Sequence, residues 1–226
     1  RSMWKVSAVV LFVAVSIVCG VFTLPRAVTS MVADGLRART GAQDVQLSIM
    51  DSPRLIFGEI GAMDGVIRQG RIGKLFVREL TVTGTNLRFD VGTLLSTQEL
   101  ILTEAEHIEM RGVVDADAIR ELITNAADKF ADVAVTVQPG NVLATAKTRA
   151  FGQTFEVTLE GGFAIESGDL YYKATRISAR GLGLNALSLD GIFPDVLVAR
   201  ADTLPFGLVF ETVEAKDGVV ILTAGK

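Results

Sequence analysis

Between Val6 and Leu24 the chain carries no charged residue; Arg1 and Lys5 precede this run, and Pro25-Arg26 follow it. No other feature restricts the chain so strongly. As a helix, nineteen residues rising about 1.5 Å each nearly match a ~30 Å hydrocarbon core. The apolar region of a signal peptide is usually shorter, roughly 7–15 residues. No A-x-A-like cleavage sequence is present, although Val18-Cys19-Gly20 offers small-enough residues. Lipidation of Cys19 is disfavoured by Val18, where a lipobox takes Gly or Ala. Residues 1–25 therefore read as an uncleaved signal anchor, with a cleaved signal as the alternative; so long a charge-free run argues against a buried core helix. Arg26, Arg37 and Arg39 follow the run, so a Lys/Arg count alone does not favour the usual orientation. The N-inside orientation is chosen on precedent, because a lone N-terminal apolar segment most often serves export.

Behind this segment lie about 200 residues, enough for one β-rich domain over 26–226. The 226-residue chain is 49% hydrophobic with a net charge of −4 and no basic cluster, which argues against nucleic acid as a partner. One cysteine and one histidine exclude intrachain disulfides, Cys/His zinc sites and Cys–His nucleophile pairs in a monomer.

Arg26 to Thr40 reads as a helix: Val28, Met31, Val32 and Leu36 form one apolar stripe, and Gly41 stands at the expected C-terminal cap. The pattern then changes to period two. Val45, Leu47 and Ile49 alternate with Gln46 and Ser48, a strand with one wet face. Leu55–Ile60 is a second apolar run, and the glycines at 58, 61, 65, 70 and 73 suggest bulges and tight turns. Strands are expected over Leu75–Thr83 and Leu87–Val91, and Leu100–Val114 reads as one longer strand or two short ones. Asp115–Phe130 reads as the clearest helix of the body, with acids at its start and Ile119, Leu122, Ile123, Ala126 and Phe130 on one stripe. A meander follows: Val133–Val137, Val142–Ala150, Thr154–Leu159, Phe163–Ile165, Leu170–Ala179 and Leu182–Leu189. Ile192-Phe193-Pro194 breaks it. A final hairpin turns at Asp217-Gly218, a strong short-range signal. The expected fold is α+β and β-rich: an elongated barrel-like or strongly curved antiparallel sheet packed on two amphipathic helices, after the transmembrane helix.

No catalytic constellation emerges. His107 lies in Glu104-Ala105-Glu106-His107-Ile108-Glu109, where a strand puts Ala105, His107 and Glu109 on one face. A carboxylate and an imidazole there suit a metal ion, but a solvated strand face is the better account. Gly70-Arg71-Ile72-Gly73-Lys74 lacks the glycine spacing of a phosphate loop, and Leu75 replaces its Ser/Thr. Gly181-Leu182-Gly183 lacks a third glycine, and Asp115-Ala116-Asp117 lacks the rest of a calcium loop. No cofactor and no metal are expected.

The tail Leu204-Pro205-Phe206-Gly207-Leu208, then Val213, then Lys216-Asp217-Gly218-Val219-Val220-Ile221, resembles the close of the LmeA-like phospholipid-binding family of bacterial envelope proteins. Ser52-Pro53-Arg54-Leu55 with Phe57-Gly58-Glu59-Ile60 is similar to that family's early strand pair. Leu102-Thr103-Glu104 leading to Asp117-Ala118-Ile119 resembles its entry to the central helix, although here an extra strand intervenes. The resemblance runs from Ala27 to Thr223. It implies a domain on the outer side of the cytoplasmic membrane that binds phospholipid acyl chains in an apolar cavity and supports envelope maintenance. Val28, Met31, Val32, Leu36, Ile119, Leu122, Ile123 and Phe130 are the candidate lining. Two other accounts stay open. One is a scaffold or assembly protein whose barrel is filled by its own side chains. The other is a hydrolase using paired carboxylates among Glu104, Glu106, Asp115 and Asp117. The expected partners are phospholipid and the membrane.

Overall fold

The computed structural model describes residues 26–50, 54–97, 100–150, 152–179 and 193–226. The anchor expected over residues 1–25 and the strand expected over Leu182–Leu189 lie outside the described residues. No helix among the described residues is long and apolar enough to cross a membrane.

Residues 26–40 form α1 as the stripe predicts. Its end is closed by the Gly41 N–H, which donates to the Arg37 carbonyl at 2.7 Å, and the buried Thr40 hydroxyl donates to the Leu36 carbonyl at 2.7 Å. Strand β1 (Asp44–Ile49) follows, then a single 3-10 turn over Leu55–Phe57 where an apolar run was read. Strands β2 (Glu59–Ile72) and β3 (Leu75–Phe89) make one long hairpin. The expected interruptions inside them are absent, for a physical reason. Gly70 does not bend β2: a Cβ there would stand 3.3 Å from the Thr40 Cβ, so its bareness lets α1 close on the strand. In β3 the break expected between Thr83 and Leu87 is reduced to a positive φ of 47° at Asn86 within a continuous strand.

Helix α2 (Val91–Thr97) was not foreseen. It is too short for periodicity to show, yet it is capped: the Asp90 carboxylate accepts from the N–H groups of Gly92 and Thr93 and from the Thr93 hydroxyl at 2.8 Å. These bonds, the Thr93 hydroxyl first, hold the Asp90 carboxyl below its ordinary range. Strand β4 (Leu102–Asp115) leads to α3 (Ala116–Ala126). Asp115 caps α3 by accepting from the Ala118 N–H at 3.0 Å. The helix ends earlier than expected, so Phe130 opens β5 (Phe130–Gln138) and does not belong to the helical stripe. Strands β6 (Asn141–Ala150), β7 (Gln153–Glu166) and β8 (Asp169–Ala179) continue the meander, with β7 merging two expected strands. Strand β9 (Val196–Ala199) follows Pro194, and β10 (Val209–Ala215) and β11 (Val219–Gly225) form the hairpin that Asp217-Gly218 foretold.

All pairings are antiparallel. The first sheet has the order β1-β2-β3-β4-β11-β10, the second β5-β6-β7-β8-β9, and the whole is a curled half-barrel. The first sheet is completed by the end of the chain: β11 pairs with β4 from Val219↔Asp115 to Gly225↔Glu109. The second sheet is an insertion between β4 and the hairpin that finishes the first. Backbone bonds stitch the sheets together. Lys74 N–H donates to the Val198 carbonyl at 2.8 Å, Gly140 N–H to Ala215 at 3.0 Å, and Gly218 N–H to Val137 at 3.1 Å. One apolar cluster runs through both, from Val28, Leu36, Ile67 and Val82 to Val142, Leu159 and Val198.

The turn at Gly73 is the tightest of these junctions. Its φ is +58°, and a Cβ there would fall 2.2 Å from the Val198 carbonyl oxygen. Gly140 shares the left-handed backbone at φ +76° but has open space around it. Gly73→Ala should therefore cost about 2–4 kcal/mol, from strain plus displacement of β9. Gly140→Ala should cost about 1 kcal/mol, from backbone strain alone. Equal losses in urea-unfolding midpoints for the two variants would contradict this account of the junction.

Candidate functional site

The expected lining residues are placed in two groups. On α1, Val28, Val32 and Leu36 are buried and Met31 is half-buried. The end of α1 rests on β2 through Thr40 and Gly70, and the Arg39 guanidinium donates to the Leu204 carbonyl at 3.4 Å. On α3, Ile119, Leu122 and Ile123 are buried, and this helix packs against β5, β3 and β4. Both groups belong to the same apolar cluster, so the stripes are core first.

Phe130 has a different neighbourhood. Its ring stacks on Phe193 at 6.2 Å between centroids, Phe193 meets Tyr172 edge-on at 5.9 Å, and Tyr172 meets Phe163 edge-on at 5.3 Å. This aromatic row inside the second sheet escaped sequence reasoning, because Phe193 sits in a segment marked only as a break. Tyr172 is fully buried, and among the described residues its hydroxyl has no hydrogen-bond partner. The hydroxyl lies over Gly161, where a Cβ would approach it to 2.8 Å. Burial pushes the phenol's pKa above its ordinary 10.0.

The polar candidates are dispersed. His107 is exposed and faces Thr85 in the β3–β4 register. Glu104 pairs with Arg88 at 3.2 Å, Glu106 with the Asn86 amide, Asp115 with Arg78 at 2.9 Å, and Asp117 with Arg120 at 3.3 Å. Among the described residues no group of His, Cys, Asp and Glu is placed to hold a metal ion. Gly70–Lys74, weighed as a phosphate loop, spans the end of β2 and the turn into β3.

A groove not foreseen from sequence opens at the end of the first sheet where β2 begins and β3 finishes. Its volume is about 430 Å³, and Arg54, Glu59, Ile60, Gly61, Asn86, Leu87 and Arg88 line it. Its charges are paired: Arg54 to Glu59 at 3.5 Å, and Arg88 to Glu59 at 3.3 Å. Around this end stand three large side chains in water, Met50, Phe57 and Ile101, which are 68%, 75% and 48% exposed. A shallower groove of about 400 Å³ runs across β1, β2 and β3 past Leu47, Val66 and Val82. Compared with models of known families, with curated proteins and with solved structures, the chain matches none.

Tyr172 gives a direct test of the interior. A buried hydroxyl without a partner is a cost, so Tyr172→Phe should leave stability unchanged or raise it by ~1 kcal/mol. The pH dependence follows from the raised pKa: the folded state keeps a proton that the unfolded chain loses above about pH 10. The parent protein should lose stability as pH climbs past that point, and the variant should lose less. A variant markedly weaker at neutral pH would show that the hydroxyl has a partner.

Proposed function

We propose that the chain is a membrane-anchored phospholipid-binding or lipid-transfer protein, with its body on the outer side of the cytoplasmic membrane, in the manner of the LmeA-like family its tail resembles. The observation that carries this is α1. A helix whose apolar stripe Val28–Val32–Leu36 is buried in the core cluster directly follows a charge-free membrane-length run. An acyl chain needs the same surroundings that α1 enjoys: each CH₂ buried is worth about 0.8 kcal/mol, so the cover helix and a lipid tail are energetic equivalents. In this scheme ligand enters where α1 yields.

A second account has an observation of its own. Val28, Leu36, Ile119 and Ile123 are each at most 1% exposed within one continuous cluster, as in a scaffold whose interior is filled by its own side chains.

Native mass spectrometry of the full chain, extracted in mild detergent and offered mixed bacterial phospholipids, separates the two. Retained or acquired phospholipid supports binding, and a chain that never carries any sinks it. The role of α1 is checked with a tether. The Thr40 Cβ and a Cβ placed on Gly70 are 3.3 Å apart, near the ~3.8 Å mean of a disulfide. Thr40→Cys with Gly70→Cys, in a Cys19→Ser background, should bind lipid poorly when oxidised and recover on reduction. Equal uptake in both redox states would mean that α1 does not gate entry.

A further inference from the structure

We infer that β1 is a docking edge for a second copy of this chain, the two copies joining their first sheets antiparallel about Leu47. Among the described residues the sheets have β1, β10, β5 and β9 as their edge strands. Three of these are tied to other parts of the chain by main-chain bonds. The Phe210 N–H of β10 donates to the Gly168 carbonyl at 3.3 Å, and the carbonyls of Val137 in β5 and Val198 in β9 accept from the N–H groups of Gly218 and Lys74. Among the described residues β1 has no such bond on its outer side. Its open groups can be assigned. The Met50 N–H donates to the Ala62 carbonyl of β2 at 3.0 Å, and peptide groups alternate in direction along an antiparallel strand. Ser48, Gln46 and Asp44 therefore turn theirs to β2, and Val45, Leu47 and Ile49 turn theirs outward. Such a ladder is a template for another strand, and edges are commonly blunted by lysine, proline or a bulge. Strand β1 reads Asp-Val-Gln-Leu-Ser-Ile and has none of these; its register runs unshifted from Asp44↔Arg68 to Ile49↔Met63.

The occupant follows from the symmetry of the strand itself. Turned about a twofold axis at Leu47, β1 sets Val45 opposite the partner's Ile49, Gln46 opposite the partner's Ser48 and Leu47 opposite the partner's Leu47. All the outward residues then pair, giving roughly six N–H···O bonds. Apolar side chains meet on the inner face and polar ones on the outer. A slip of two residues leaves an outward residue unpaired, and a slip of one puts apolar side chains against polar ones. Leu47 and Ile49 are half-buried in the single chain, and the join continues their apolar face. Charge does not oppose it. Asp44 is paired with Arg68 at 3.5 Å and faces the partner's Met50. Asp64 lies beside Ser48 on β2, and the two Asp64 carboxylates stand three strand spacings apart, about 14 Å, beyond the ~8 Å screening length. An isologous pair of this kind is closed, because each copy spends its open edge on the other.

The pairing is independent of lipid uptake and is tested in the full chain carrying Cys19→Ser, extracted in mild detergent. Native mass spectrometry should show a dimer. Gln46→Lys with Ser48→Lys sets like charges opposite each other at both crossings and should weaken the dimer about tenfold. Gln46→Glu with Ser48→Lys sets opposite charges there and should restore it. In registers slipped by two residues the second variant opposes like charges again, so the rescue is specific to the twofold at Leu47. Both positions are exposed, and melting by circular dichroism should match the parent for each variant. On oxidation, chains with Gln46→Cys mixed with chains with Ser48→Cys should join to each other, their Cα atoms about 4.5 Å apart. Neither should join to its own kind, where the separation is roughly 7–8 Å. A parent that stays monomeric at every concentration overturns the inference. So does a dimer that the paired lysines leave intact, which is held by another surface. Cross-linking that is equal for like and unlike chains overturns it as well.

Discussion

The fold depends on one shared interior. A six-stranded antiparallel sheet has an apolar face that must be covered, and among the described residues neither the first sheet nor the second closes into a barrel. Each lends the other its cover. The first sheet receives α1 and the flank of the second, and the second receives α3 and the returning hairpin. The main-chain bonds at Lys74–Val198, Gly140–Ala215 and Gly218–Val137 are where that exchange is fixed, because buried peptide groups at a sheet boundary need partners as much as side chains need apolar neighbours. This explains the bare Cα at Gly73, where one added carbon would force the sheets apart.

Much of this order was written in local pattern. The 3.6-residue spacing of Val28, Val32 and Leu36 marked α1, Asp115 marked the start of α3, and Asp217-Gly218 marked the last hairpin. These are effects between residues a few positions apart, which a sequence displays directly. What stayed hidden depends on distant partners. Gly70 looked like a strand breaker, and only the approach of Thr40 shows it as a seat for a helix. The pairing of Leu222 with Gly112 has no local signature. Phe130 continued the helical period and yet begins a strand, because its ring is held by Phe193 from far along the chain. The exposure of Met50, Phe57 and Ile101 could not be read at all: they are separated in sequence and follow no period.

The stripes chosen as a lipid-binding surface are also the stripes that hold the protein together. An apolar side chain packed on a neighbour and one packed on an acyl chain gain from the same expulsion of water, so composition cannot distinguish a groove from a core. What differs is the cost of opening. A cavity lined by helices that are sealed at rest requires a cooperative displacement, drawn from the less stable elements of the structure. Helix α1 is the natural candidate, because it is joined to the sheets by a single bend and covers a face without contributing a strand.

The late arrival of β11 also has a meaning in time. A chain made from its N-terminus completes β4 at Asp115, but the strand that pairs with it begins at Val219. At the ~5–20 residues per second of synthesis, that open ladder of peptide groups waits on the order of ten seconds for its mate. Throughout that interval β4 is an unpaired strand edge, the kind of surface on which chains misassociate. The charged positions Glu109, Arg111 and Asp115 lie along that open segment. They protect the molecule at a moment when its final form does not yet exist.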